Sequence, residues 1–477
     1  MKKLTFPLLL ISIFLFSEAF SYDNIKKDKK TIINSIESQK DRLIEISDNI
    51  WEAAEPALLE FKSSKYLSDY AEENGFRVTR GVAEIPTAFV AEFGSGKPVI
   101  GILGEFDANP GISQKKQPTK EPLVKGAAGH GCGHNLYGTG SLGAAIAIKE
   151  MIESGEISGT IRFYGTPAEE TIFAKVWMVR AGLFDDVDVC MDWHPSDEVE
   201  AATQSSKALV DFRLRFFGDA SHASGDPWNG NSAVDAMELY TTGLNYYREH
   251  VRPTARIHYD IEKAGDVVNV VPDFAQIWTR LRENDKENVN ILYERAKKIA
   301  EAASMMANVD YEMELISGIY EIIPNRFGAG IIQKNIESLG EIKYTEDEIN
   351  YANTILKETG KELKGIDSKI RPIRPTLPAQ GGSTDVGDVS QVVPVVRMRA
   401  TAAAKDGPWH SWAVVACTGM SIGHKGMIYA SKALAMTMLD LYKNPKLIDG
   451  VKKEFIARKG DRVYVPQIPP GPPKLID

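Results

Sequence analysis

Hydrophobic and polar positions follow two different periods along the chain, and the period changes near residue 206. Before that point, apolar strand-like segments at 98–105, 160–164 and 186–193 are separated by segments with helical spacing. The segment 98–105 is almost continuously apolar, which is typical of a strand buried on both faces of a parallel sheet. The alternation therefore predicts an α/β domain with a central, mostly parallel sheet flanked by helices.

Between residues 206 and 320 the strand-like segments alternate with a period of two, which indicates a sheet with one solvated face. Their order is strand, helix, strand, strand, helix, strand, so this region is predicted to be an α+β insert of ferredoxin-like type. The apolar segment 267–282 is assigned as strand within it. We therefore expect one domain in two parts, 22–205 and 321–444, interrupted by the insert and followed by an extended, proline-rich tail at 445–477.

The length and composition are those of a globular protein with more than one domain. The chain has 477 residues, of which 43% are hydrophobic and 25% are charged, and single cores stop growing at about 250–300 residues. The net charge is −9, and no basic cluster is apparent. A nucleic-acid partner is disfavoured because it would require a clustered positive surface, so small molecules are the expected partners.

The first residues have the pattern of an export signal. Two lysines precede an apolar run over residues 4–16, and the small residues Ala19 and Ser21 follow. The run is shorter than the roughly 20 residues that span a bilayer, which disfavours a membrane anchor. We predict a cleaved signal peptide at 1–21 and an exported protein, either periplasmic or secreted, with no stable membrane insertion.

A glycine-rich segment at 126–143 carries the first candidate chemistry. Cys132 and His134 are two residues apart, so in an extended segment both point the same way and can bind one metal ion, with His130 as a third candidate. Asn135 is the expected N-cap of the helix that follows. A phosphate-binding loop is disfavoured because no Gly-Lys-Ser/Thr follows, and a redox cysteine because no second cysteine lies nearby.

Two predicted strands end in further candidate side chains. The strand 160–164 leads into Glu169 and Glu170, and the strand 186–193 runs directly into His194. Ligands of α/β sheets bind at the carboxyl ends of strands, where these side chains are expected to meet. Adjacent residues in an extended loop face opposite ways, so one glutamate can bind a metal while its neighbour faces the substrate. Taken alone, the glutamate pair is also compatible with a solvated acidic turn.

Several motifs follow one another along the chain: GEFDANPG, GHGCGHN, GTPAEE, WHP, VVNVVPD, GGSTDVGDVS and WHSW. Together they resemble the dinuclear-metal amidohydrolase and peptidase family that includes aminoacylases, carboxypeptidase G-like enzymes and auxin-conjugate hydrolases. The resemblance covers nearly the whole chain after the leader. It implies a catalytic domain interrupted by a smaller lid domain that commonly forms the interface of a homodimer.

The resemblance also implies a role for each motif residue. Five side chains match the metal ligands, with the cysteine sulfur bridging two ions: Cys132, His134, Glu170, His194 and His410. Glu169 matches the general base, and Asp107 matches the acid that orients a ligand histidine. His222 and Asn269 match lid residues that contact the substrate.

One ligand has a competitor nearby in the sequence. His424 is the alternative to His410 as the last ligand, and His410 is favoured because the small polar residue Ser411 follows it, as in the relatives. Cysteine and imidazole ligands favour zinc as the metal, with manganese as an alternative. The resemblance therefore implies two divalent ions, most consistent with zinc, as cofactors.

The activity that the resemblance implies is hydrolysis of the amide bond of an N-acyl amino acid. Two ions would lower the pKa of a water molecule to about 7, so that Glu169 accepts its proton near neutral pH. A dipeptidase or carboxypeptidase with the same site is an alternative. A metal-bound but inactive small-molecule binding protein is a second alternative, which the presence of both glutamates disfavours.

Overall fold

The structure is a computed structural model that describes residues 8–379 and 381–475, with side chains from residue 25 onwards. The predicted signal peptide at 1–21 thus lies outside the residues whose side chains are described. Within the described part of the chain, no helix combines the length and the apolar character needed to cross a membrane.

The described residues form both β-strands and α-helices. The strands are β1 (Arg77–Arg80), β2 (Phe89–Ser95), β3 (Val99–Glu105), β4 (Gly159–Thr166), β5 (Val189–Ser196), β6 (Glu200–Ala201), β7 (Ala208–Phe217), β8 (Arg256–Ala264), β9 (Phe274–Glu283), β10 (Asp310–Ile319) and β11 (Val395–Thr401). The helices are α1 (Leu8–Ala53), α2 (Phe61–Glu73), α3 (His134–Glu153), α4 (Lys175–Arg180), α5 (Ala233–Tyr247), α6 (Lys286–Ala307), α7 (Arg326–Leu339), α8 (Glu346–Glu358), α9 (Val386–Val392), α10 (Trp412–Thr418), α11 (Ser421–Lys443) and α12 (Pro445–Lys459).

The larger sheet has seven strands in the order β1-β2-β4-β3-β5-β11-β6. The four central strands β4, β3, β5 and β11 are parallel to one another, whereas β1, β2 and β6 pair antiparallel at the two edges. The sheet is therefore mixed, and the prediction of a mostly parallel sheet holds only for its centre. The edge strand β1 is mainly exposed and polar, so it lacks the apolar run that marks a buried strand.

Helix α3 packs directly on the centre of this sheet, and its glycines explain how. A Cβ atom added at Gly138 would lie 2.6 Å from the carbonyl oxygen of Glu105 at the end of β3. Glycine therefore allows helix and strand to approach closely, although it disfavours a helix by about 1 kcal/mol in isolation. The helix begins at His134 and includes Gly138, so part of the glycine-rich segment is helical.

The smaller sheet is antiparallel, in the order β10-β7-β9-β8, and its elements fall within residues 208–319. Helices α5 and α6 cover one face, where Ile277 and Leu281 of β9 are buried. The opposite face carries polar side chains such as Arg280, whose guanidinium lies 5.4 Å from the centre of the Phe173 ring. This open face is thus directed towards the segment that follows Glu170.

Two sequence-based assignments are wrong. Residues 267–273 form a loop rather than a strand, and Val268 is 100% exposed. The β-branched residues there are typical of a strand, but the partners of β9 are β7 and β8, and residues 267–273 only connect β8 to β9. The predicted extended tail begins with helix α12, which buries Ile448 and Val451, and its proline occupies a first-turn position that helices tolerate.

Candidate metal centre

Four segments of the larger domain bring the predicted ligands together. In one group of three, Cys132, His134 and His194 have ligand atoms within 4.8 Å of one another. In a second group, Cys132, Glu170 and His410 satisfy the same distance. Cys132 belongs to both groups, which is the placement that a bridging sulfur between two ions requires.

A tight turn sets the positions of Cys132 and His134. Gly133 between them has a φ of 79°, and its carbonyl accepts the first hydrogen bond of α3 from Leu136. The turn therefore places His134 at the start of the helix. Asn135 is not the N-cap that the sequence predicted, because it lies inside the first turn and donates its side-chain amide to Ser47 and Thr418.

Asp107 orients two of the predicted ligand residues. One of its carboxylate oxygens lies 2.9 Å from Nδ1 of His134, and the other accepts the backbone N–H of Glu170 at 2.9 Å. This pairing leaves Nε2 of His134 for a metal ion. Burial alone would lower the pKa of His134, but the charges of Glu105 and Asp107 outweigh it and raise the pKa well above its ordinary value.

Burial shifts the pKa values of both His194 and Cys132 in the direction that favours their neutral forms. Nδ1 of His194 donates to the carbonyl of Pro195 at 2.7 Å, so Nε2 carries the lone pair and lies 3.4 Å from the sulfur of Cys132. Burial lowers the pKa of His194 well below its ordinary value. Burial, together with the charge of Glu170, raises the pKa of the Cys132 thiol. A thiolate at this position therefore needs a cation to stabilise it.

Glu169 is held in place by the strained segment around it. Ala168 has a φ of 58°, a region that is costly for a residue with a side chain, and its N–H donates to the buried Glu60 carboxylate at 2.9 Å. The Glu169 side chain is buried. Burial and the neighbouring charges of Glu105 and Glu170 raise its pKa well above the ordinary value, which suits a group that takes and returns a proton.

The donor set fits a transition-metal site. Among the described residues, Nε2 of His134, Oε1 of Glu170 and Oε2 of Glu105 are buried without a hydrogen-bond partner. Unsatisfied buried acceptors are costly, and a cation would satisfy them together. Thiolate, imidazole and carboxylate are ligands that zinc and similar divalent metals accept.

The remaining histidines are placed differently. His410 is 58% exposed at the rim of the cluster, with Nε2 3.6 Å from Oε2 of Glu170. His424 lies in α11, and its Nε2 is 3.1 Å from Oδ1 of Asp48. His130, the third candidate of the glycine-rich segment, is not in either group because its Nε2 contacts the carbonyl oxygen of Ile50 at 3.0 Å.

The predicted substrate-binding residues lie on the smaller domain, and the structure does not bring them into the buried ligand cluster. His222 and Asn269 are both exposed and occupy adjacent loops. The loops are joined by a hydrogen bond from the N–H of Ala223 to the carbonyl of Asn269 and by a bridge between His222 and Val270.

Two residues near the site were missed by the sequence analysis. Lys175 is a fully buried lysine at the start of α4. The one feature of the sequence that could have drawn attention to it is a charged residue at the start of a short, mainly apolar helix. Arg282 lies in β9, where buried and partly exposed positions alternate, and its position is on the open face of the smaller sheet. Burial lowers the pKa of Arg282, and the charge of Glu169 partly offsets this effect, so the two side chains lie near each other.

Comparison with known proteins identifies the class. Residues 101–413 match peptidase family M20/M25/M40. The chain belongs to this family and is a metal-dependent amide hydrolase, which confirms the resemblance drawn from the motifs.

Two curated relatives match this chain over almost its whole length. The chain is similar to a subunit of the p-aminobenzoyl-glutamate hydrolase of Escherichia coli (strain K12), with 36% identity over 452 residues that cover 89% of this chain and 94% of the relative. It is also similar to the Xaa-Arg dipeptidase of Mus musculus, with 29% identity over 441 residues that cover 90% and 92% of the two chains.

The fold is shared with a dinuclear metal-binding peptidase of the M20 family from Bacillus subtilis. The TM-score is 0.57 at 18% identity, and the match covers 85% of this chain and 99% of that structure. The mixed sheet with its flanking helices is therefore the fold of an M20 peptidase.

Proposed function

We propose that the protein hydrolyses the amide bond of N-acyl amino acids with two divalent metal ions, zinc being the favoured metal. The observation that carries this proposal is the membership of Cys132 in two separate ligand groups, with Glu169 beside them. The ligands would be the five side chains Cys132, His134, Glu170, His194 and His410. Bound metals would supply an acidified water molecule and polarise the substrate carbonyl.

The side chains of the protein have separate tasks in this proposal. Glu169 takes the proton of the attacking water and returns it to the departing amine. Asp107 fixes the tautomer of His134 and also holds the backbone of Glu170, so that one carboxylate aligns two ligands. The burial of Glu169 excludes bulk water, which would otherwise compete for the proton.

We infer that the released amino acid is anionic, as glutamate is. Arg282 supports this choice, because its Nε atom is buried and has no hydrogen-bond partner among the described residues. Its guanidinium lies close enough to Glu169 for the two charges to interact. A substrate carboxylate would satisfy the donor. The similarity to a p-aminobenzoyl-glutamate hydrolase supports the same substrate class.

Replacing Arg282 with leucine is expected to raise KM for N-acyl glutamates by about 10- to 100-fold, because one charge-assisted hydrogen-bonding partner worth about 1.5–3 kcal/mol is lost. The assay compares p-aminobenzoyl-glutamate, other N-acyl amino acids and Xaa-Arg dipeptides with zinc and with manganese. Arg282→Lys is the matched control that keeps the charge. Preferred cleavage of Xaa-Arg dipeptides by the wild type would favour the dipeptidase alternative, which the second relative supports.

We further propose that the smaller domain, ferredoxin-like in the order of its elements, acts as a lid and forms a homodimer. Its loop tips carry His222 and Asn269 together with the exposed apolar residues Trp228 and Val268. Apolar residues clustered at an exposed tip are characteristic of a binding surface. In this arrangement His222 meets the substrate carbonyl at the site of the partner subunit.

Co-expression of a His222→Ala chain with a Glu169→Ala chain tests this arrangement. Each variant alone is expected to be nearly inactive, whereas the mixture should recover about a quarter of the wild-type sites, because half of each mixed dimer is intact. Steady-state kinetics on the co-purified chains provides the measurement. If the mixture stays inactive although mixed dimers form, His222 acts within its own chain. A purified protein that is monomeric, or that assembles only with a different subunit, would contradict the proposed homodimer.

A further inference from the structure

A buried ion-pair network lies directly behind the candidate metal centre. The Nζ atom of Lys175 donates to Oε1 of Glu105 at 2.6 Å and to Oδ1 of Asp385 at 2.7 Å. All three side chains are at most 1% exposed. The second oxygen of Asp385 accepts the backbone N–H of Lys175 at 2.8 Å, so the lysine is held from both its main chain and its side chain.

The network ends at a metal ligand. Oε2 of Glu105, the oxygen that Lys175 does not hold, lies 3.0 Å from Nε2 of His134. Neither atom has a hydrogen-bond partner among the described residues. Nδ1 of His134 already faces Asp107, so Nε2 and Oε2 of Glu105 are two buried polar atoms in close contact that do not form a hydrogen bond with each other. A cation beside them would satisfy both atoms.

We propose that Lys175 is a positioning residue: together with Asp385 it holds Glu105 against His134 and thereby strengthens metal binding at the half of the site that contains His134. The inference rests on the proposed two-metal function. Glu105, His134 and Glu169 also have ligand atoms within 4.8 Å of one another. Glu105 therefore lies beside both a proposed ligand and the proposed general base.

The network is costly as a mere stabiliser of the fold. A buried ion pair gains little net stability, because removing charges from water costs about as much as their attraction returns. Here a lysine is paired with two carboxylates, and the further carboxylates of Asp107 and Glu170 lie on the metal side. The surplus negative charge is what a pair of divalent cations would neutralise, so the arrangement suits a site that is loaded with metal.

The test measures cobalt binding to the purified, full-length protein rather than its activity. Lys175→Met is expected to weaken one of two bound Co²⁺ equivalents by about 10- to 100-fold in competition with a chelator, the range found for residues behind metal ligands. Glu105→Gln, which keeps an oxygen for Lys175, is expected to weaken the same equivalent. The thiolate-to-cobalt absorption band should persist in both variants, because Cys132 is untouched. Lys286→Met is the matched control, since Lys286 is another buried lysine.

The outcomes separate this inference from the proposed function. Unchanged affinity and unchanged spectra in Lys175→Met and Glu105→Gln would overturn the inference while leaving the metal site intact. If only Glu105→Gln weakens cobalt binding, Lys175 is not a positioning residue. If Lys286→Met weakens cobalt binding as much as Lys175→Met does, the loss of affinity reflects a general loss of stability. A wild-type protein that binds no cobalt would instead contradict the proposed function. If Lys175→Met does not fold, Glu105→Gln and Asp385→Asn together decide the question.

Discussion

Replacing Glu169 with glutamine is expected to lower kcat by about 10²- to 10⁴-fold while the protein still binds both metal ions. Glutamine has nearly the same size and keeps the buried position, but it cannot accept the proton of the attacking water. Glu169 belongs to neither of the two groups that share Cys132, so its loss should spare the ligands. Steady-state kinetics and elemental analysis of the same preparation provide the measurement.

The neighbouring glutamate is the matched control for this experiment. Glu170 belongs to the group with Cys132 and His410, so Glu170→Gln should lose metal as well as activity. The two adjacent glutamates thus differ in their expected effect: Glu169→Gln should retain the bound metal, whereas Glu170→Gln should lose it. If Glu169→Gln loses metal in parallel with Glu170→Gln, Glu169 is a ligand, and the general base must be another residue.

The arrangement of charges explains why these two glutamates differ. The backbone N–H of Glu170 is held by Asp107, which also holds His134, so Glu170 is aligned with the ligands. Glu169 is buried beside Glu105, whose charge helps to raise its pKa. A buried carboxylate that lies beside the proposed ligands and whose pKa is raised is suited to exchange a proton with the substrate.

Local patterns in the sequence led to most of the proposed ligands, which the structure brings close together. Cys132 and His134 are separated by one residue, and Glu170 and His194 lie at the ends of β4 and β5, where α/β folds collect their ligands. The central strands were predictable for the same reason, because strands buried on both faces are continuously apolar. The short polar edge strand β1 has no such pattern.

Residues that depend on distant partners could not be predicted. Lys175 is separated from Glu105 by 70 positions and from Asp385 by 210 positions, so no local spacing connects them. The N-cap of α3 was predicted at Asn135 rather than Gly133, because the glycines of this segment serve contacts with β3 and β5 rather than helix propensity. In both cases tertiary contacts decide the outcome, and the chain offers no short-range signal of them.

Replacing Cys132 with alanine is expected to remove at least one bound metal ion and to lower kcat/KM by about 10⁴-fold or more, because the metal-activated water is lost with the ion. Cys132 is shared by both ligand groups, so its loss affects each of them. Burial raises the pKa of the Cys132 thiol, so metal binding must displace its proton, and metal affinity should rise with pH. Calorimetric titration with Zn²⁺ measures this proton release, because the heat of binding then depends on the ionisation enthalpy of the buffer.

Cys417→Ala is the matched control for Cys132→Ala, because Cys417 is also a buried free thiol but packs in an apolar cluster with Val414 and Ile422. It should bind metal and release protons as the wild type does, with only a small loss of stability. Equal metal content and equal proton release in Cys132→Ala and the wild type would exclude the sulfur as a ligand, and the two groups of donors would then no longer share a bridge.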